Sequence, residues 1–224
     1  MSRVIVYCGF LQEERTKLPE MGVGGSKVNV LAQDRLCLLW SEVPWPFEPA
    51  GLQQKAVEFH QVVQHVFQQA AVVPFRLLSI FDGVPALEKF AAENGATFTA
   101  DLERLRHYVQ MESVVYVIQQ RAAEEEKSGR AYLEGKAEVL RLSIDHAARV
   151  KAAIQPISQE IQVREVKSGT RIFALVRRGN EERFREGVKA VPLPQSISRR
   201  VSGPWPAAEF LSPEVRMPQS AGQQ

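Results

Sequence analysis

The chain has 224 residues, 45% hydrophobic and 24% charged, with a formal net charge of +2 at pH 7. That length allows one large domain or two of about 100 residues each, and the composition is that of a globular protein, not a disordered tail. The weak charge gives no electrostatic case for nucleic acid or an anionic membrane, no apolar run approaches the roughly 20 residues of a membrane span, and "MSRVIVYCGF" lacks the apolar core and cleavage site of a signal peptide.

Residues 3–10, "RVIVYCGF", are β-branched and aromatic and predict a buried strand. A Pro/Gly loop, "LPEMGVGGSK", follows. "KVNVLAQ" and "RLCLLWSEV" flank Asp34 and predict a tight hairpin whose register stays open. "PWPFEPAG" breaks the sheet pattern before a helix. Leu52, Ala56, Phe59, Val63, Val66 and Ala70 recur in steps of four and three, one face of an amphipathic helix whose other face is rich in glutamine. "VVPFRLLSIF" is an extended apolar segment entered through Pro74. Pro85 opens a short helix with the stripe Leu87, Phe90, Ala91, ended by Asn94-Gly95. Leu102, Leu105 and Val109 mark another. Cys8 and Cys37 lie within apolar runs, which predicts buried free thiols in a reducing cytoplasm, with a structural disulfide as the other reading.

The second half has a cleaner rhythm. "ESVVYVI" (112–118) predicts a strand, "RAAEEEKSG" an exposed loop, and Arg130 to Ile154 a long helix with the stripe Leu133, Ala137, Leu140, Ile144, Ala147, Ile154, stopped by Pro156. "EIQVREVK" and "RIFALVRR" straddle Ser168-Gly169 as a hairpin. Asn180 is placed to cap a helix in which Phe184, Val188 and Val191 point inward, and "SISRRV" closes the set. The order β-α-β-β-α-β is the split-βαβ, ferredoxin-like arrangement. Its first and third strands, "VVYVI" and "IFALV", are continuous apolar runs suited to the centre of a sheet, and the second and fourth carry the charges of edges. The expectation is an α+β protein of two domains: 1–108, an N-terminal α+β domain; 109–212, a C-terminal ferredoxin-like domain; and 213–224, a flexible tail.

Little in the residues carries chemistry. Two cysteines cannot supply the thiolates of an iron–sulfur cluster. His60 and His65 fall about 140° apart around a helix axis and cannot easily share a metal. "MGVGGSK" lacks the G-x-x-x-x-G-K-[ST] spacing of a phosphate loop and leads into a strand. Glu124-Glu125-Glu126 is solvated charge. Neither a catalytic set, nor a cofactor site, nor a metal site is expected. RNA-recognition domains share the strand order and stack bases on aromatics of the central strands. Here Tyr116 and Phe173 hold those positions, but the glycine-bearing motif is missing from "TRIFALVRR".

Near the end, "SGPWPAAEFL" clamps Trp205 between Pro204 and Pro206, with Phe210 beyond. This stretch resembles the "GPWPPYSF"-type ending of the gas vesicle protein family F/L (GvpF/GvpL). "VYCGF" is similar to that family's opening strand, and "FHQVVQHVFQQAAVVPFR" to its helix and following segment, which contributes Pro74, Phe75 and Arg76. "KSGRAYLEGK" matches its "sGraYL" helix start, with Gly129, Tyr132 and Leu133. The motif positions are completed by Gly203, Pro204, Trp205, Pro206 and Phe210. "PAAEF" departs from the usual Pro-Tyr-Ser before the phenylalanine, and "PFRLLSIF" lacks the family's glycine. The resemblance implies a non-enzymatic minor structural or assembly protein of gas vesicles in the cytoplasm. Its partners would be the gas vesicle shell protein and other accessory proteins, with no nucleic acid and no membrane. A regulatory or RNA-binding ferredoxin-like module is the alternative, for which Arg177-Arg178 and Arg199-Arg200 are the only support. Packing within the protein is the favoured reading of Trp205 over service as a partner's ligand, and "EIQVREVK" the favoured free edge.

Overall fold

The computed structural model describes residues 3–44, 46, 51–118, 129–166 and 169–216, with side chains described throughout except at 117, 129–140 and 216. It divides into two compact units: Met1–His107 with Pro206–Gln224, and Tyr108–Trp205. Residues 206–212, expected in the C-terminal domain, therefore belong with the first unit.

The first unit is built on β1 (Arg3–Leu11), buried from Val4 to Leu11. β2 (Asn29–Gln33) and β3 (Leu36–Val43) form the expected hairpin through Asp34-Arg35, with Asp34 at φ 52, and Asn29 stands opposite Trp40. Helix α1 (Leu52–Phe67) follows. It buries Phe59, Val62, Val63, Val66 and Phe67. Leu52 and Ala56 are exposed, so the core face is rotated from the predicted stripe toward Val62 and Phe67. The segment expected to be extended is two short pieces, β4 (Val73–Pro74) and β5 (Ile80–Phe81), both pairing with β1. A turn closed by the Ser79 N–H on the Arg76 carbonyl separates them. The antiparallel sheet runs β2-β3-β1-β4.

Helix α2 (Val84–Leu105) corrects a second expectation, since it runs straight through Asn94-Gly95. The Asn94 side chain donates to the Phe90 carbonyl at 2.9 Å, and Phe90 and Phe98 pack at 5.8 Å on either side. Tertiary packing here outweighs a local stop signal worth about 1 kcal/mol. Phe98, Leu102 and Leu105 continue one buried face, and Val109 belongs to the next strand. Beyond it, the expected flexible tail contains a short helix, α5 (Pro213–Arg216), with Val215 fully buried.

The second unit contains β6 (Tyr108–Val117), α3 (Gly129–Ile154), β7 (Ser158–Val166), β8 (Gly169–Arg177), α4 (Glu181–Ala190) and β9 (Ile197–Trp205). Its antiparallel sheet runs β7-β8-β6-β9, so the apolar runs of β6 and β8 are the inner strands and β7 and β9 the edges. Met111 and Val115, with Ile172, Ala174 and Val176, face Ala147, Val150 and Ile154 of α3 and Phe184 and Val188 of α4. Val150 and His146 take buried places on α3, while Ile144 is 39% exposed, contrary to the predicted stripe. Asn180 precedes α4 without a side-chain cap; the carboxylate of Glu181 instead accepts from the Gly179 N–H at 2.8 Å. The acidic run Glu124–Glu126 and Ser168 lie outside the described residues.

Candidate functional site

The motif residues fall into local sets that each have a structural role. Pro74 lies opposite Cys8 of β1, and the next residue, Phe75, donates its N–H to the Tyr7 carbonyl at 2.9 Å. Its buried ring lies 5.8 Å from Phe98 and 5.9 Å from Phe90. Arg76 is exposed. Gly129, Tyr132 and Leu133 form the first turns of α3, and their side chains are outside the described residues.

The closing motif divides at its second proline. Gly203, Pro204 and Trp205 extend β9. Gly203 has φ 113, and a Cβ there would stand 2.8 Å from the Met111 sulfur and 2.9 Å from the Gln110 carbonyl oxygen, so glycine is required on both counts. Its carbonyl accepts from Arg185 at 2.8 Å. Pro204 is tolerated because β9 is an edge strand. Trp205 is 36% exposed, its indole N–H donating to Ser202 Oγ at 3.3 Å, which corrects the expectation of a buried anchor.

Phe210, at 3% exposed, is the anchor, together with Ala207, Leu211 and Val215. Arg104 of α2 donates to the Phe210 carbonyl and pairs with Asp101 at 2.8 Å. The other oxygen of Asp101 accepts from the Ser212 N–H at 2.7 Å. Asp101 is buried, and this carboxylate holds the returning chain directly at Ser212 and indirectly through Arg104, both contacts being charge-assisted. Sequence reading passed over it, although an acid three residues after Phe98 on a core face was a usable signal.

Four groups with shifted pKa values, Tyr7, Cys8, Cys37 and His146, are buried, whereas Glu13, Arg35 and Glu58 shift at the surface through their hydrogen bonds. Burial pushes the Cys8 thiol up to about 12, and Cys37 is raised by burial and by Glu13; both cysteines are free. Burial also raises Tyr7, whose hydroxyl accepts from the Val23 N–H at 3.0 Å. His146 is lowered by burial and by Arg199 and Arg149, with Nε2 3.3 Å from Arg199. Among the described residues no three of His, Cys, Asp or Glu stand close enough to hold a metal ion, and no helix is long and apolar enough to cross a membrane.

Three surface features of the second unit can meet a partner. β7 is paired with β8 on one side and is largely exposed. Beside it, Ile144, Ala147, Ala148 and Lys151 of α3 with Val163, Glu165 and Thr170 line an open cleft of about 240 Å³. On the sheet face opposite the one packed on α3 and α4, Phe173 is 1% exposed, with the Arg164 and Arg171 guanidinium groups 5.3 and 4.9 Å from its ring centre. Arg171 also pairs with Glu112 at 2.6 Å.

Residues 3–212 match the family model described as gas vesicle synthesis protein GvpL/GvpF. The fold is similar to the crystal structure of the gas vesicle protein GvpF from a species of Anabaena, with a TM-score of 0.74 at 13% identity, covering 95% of this chain and 97% of that one. It is also similar to GvpF from Microcystis aeruginosa, with a TM-score of 0.71 at 12% identity, covering 95% and 100%. No curated protein matches the chain.

Proposed function

We propose, from the premise that this chain belongs to the GvpL/GvpF gas vesicle synthesis family, that it is a non-enzymatic accessory or minor structural protein that binds the vesicle shell subunit. The observation that carries the reading is the family match over residues 3–212. A shell subunit that buries apolar faces against its own copies is aggregation-prone before assembly, and a protein offering strand edges or a helix face can hold it meanwhile. The order β7-β8-β6-β9, with α3 and α4 in the two crossovers, is read here as the split-βαβ, ferredoxin-like arrangement. Its two edges are main-chain pairing surfaces. The partners proposed are the shell protein and other accessory proteins, at the gas vesicle in the cytoplasm.

Of the two central-strand aromatics that an RNA-binding role would use, Tyr116 is half-buried and Phe173 is buried. Phe173 is buried beneath two guanidinium groups and offers no face for a base to stack on. The test is deletion of the gene in a vesicle-forming host, scored by flotation, with pull-down of the shell subunit by the purified protein. Loss of flotation, restored by the wild-type gene, together with capture of the shell subunit is expected. Normal flotation without capture overturns the reading.

A further inference from the structure

We propose that β7 is the seam of a two-fold homodimer, in which the edges of two copies pair antiparallel about Gln162 and join two four-stranded sheets into one. An exposed edge is a row of main-chain donors and acceptors ready for another strand, and natural edges are blunted by prolines, bulges or charge. β7 has no proline, and from Glu160 to Val166 it pairs residue for residue with β8 without a bulge. Its charges are arranged to attract a second copy.

Ile161 and Val163 lie opposite Ala174 and Ile172, which face α3 and α4, so Glu160, Gln162 and Arg164 occupy the other face. A two-fold axis perpendicular to the sheet keeps like faces together, so residues pair only with residues of the same face. Centred on Gln162, such pairing overlaps the regular stretch Glu160–Arg164, and the register shift between Ser158 and Glu160 lies outside it. Glu160 then stands opposite Arg164 of the second copy, and Arg164 opposite its Glu160. Ile161 meets Val163 twice on the helix face.

Moving the centre to Ile161 or Val163 leaves neither acid–base pair, and moving it to Glu160 or Arg164 sets like charges opposite each other. One register is therefore selected, because directly opposed charges attract or repel across antiparallel strands. Val163, at 45% exposed, and Ile144, at 39%, flank this seam around the cleft between α3 and β7. A second copy is the occupant that supplies matching apolar and charged groups from the same sequence, as an isologous interface requires.

The test is molecular mass by sedimentation and light scattering over a concentration series, with the full chain. The mass is expected to rise from that of the 25.2 kDa chain to twice that value. Glu160→Arg and Arg164→Glu each replace two attractive pairs by two repulsive ones and are expected to weaken the dimer at least about tenfold. The double variant restores both pairs in reversed order. Mixing the two single variants should also restore association, since a basic edge then meets an acidic one. Equal urea midpoints establish that the variants fold. A monomer at every concentration overturns the proposal, as does a dimer indifferent to the reversals. It is equally overturned if the reversals abolish shell-subunit capture and leave the mass unchanged, for the edge then belongs to that subunit. Shell capture and flotation test the proposed function separately from this mass measurement.

Discussion

Trp205 and Phe210 are five residues apart in one motif, yet the first is 36% exposed at the end of an edge strand and the second is 3% exposed in the other unit. Both are large aromatics near the end of the described chain, and size alone would make either an anchor. Phe210 has Arg104 on its carbonyl and Asp101 gripping Ser212 two residues on. Trp205 follows a proline at the sheet's edge, where the backbone is fixed and the ring is left half outside. Aromatic content marks where a chain is spent on contact. The side that is covered depends on what returns to meet it.

Substitutions in the two halves can break or sharpen this contrast. Phe210→Ala empties a buried site and is expected to cost about 3–5 kcal/mol, read as a lower urea midpoint with hydrogen exchange accelerated in the first unit. Midpoints unchanged by this substitution would remove Phe210 as the anchor. Asp101→Asn keeps the shape but loses the charge that holds Arg104 and the Ser212 N–H; a loss of about 1.5–3 kcal/mol is expected in the same melt. Gly203→Ala forces a side chain into φ 113 and against Met111, and about 1–3 kcal/mol is expected, with exchange rising along β6 and β9. Trp205→Ala should cost about 1 kcal/mol or less, in keeping with an exposed position. A loss as large as that of Phe210→Ala would erase the comparison.

Much of the second unit was legible because its signals are local. The apolar runs "VVYVI" and "IFALV" had to be covered on both sides, and they became the inner strands β6 and β8. Asn94-Gly95 was misread because a turn signal of modest strength was opposed by Phe90 and Phe98, whose packing no short window reveals. The α1 stripe was placed a step off because Leu52 and Ala56 have apolar side chains yet are exposed. The Trp205 error has the same origin. Pro-Trp-Pro fixes a backbone and says nothing of which residue lands on the core, whereas the carboxylate of Asp101 lies more than a hundred positions away from the chain it holds.

The return of the chain at Pro206 also sets an order of events during synthesis. Tyr108–Trp205 is an insertion within the first unit, whose closing piece, Ala207 to Val215, is translated after that insertion. Domains ordinarily fold as they emerge, the N-terminal one first. In this chain the inserted unit is complete while the earlier one still lacks Phe210. Strand β1 thus leaves the ribosome before the inserted unit but belongs to the unit that closes after it, and a nascent chain stalled before Pro206 would carry one finished body and one open one.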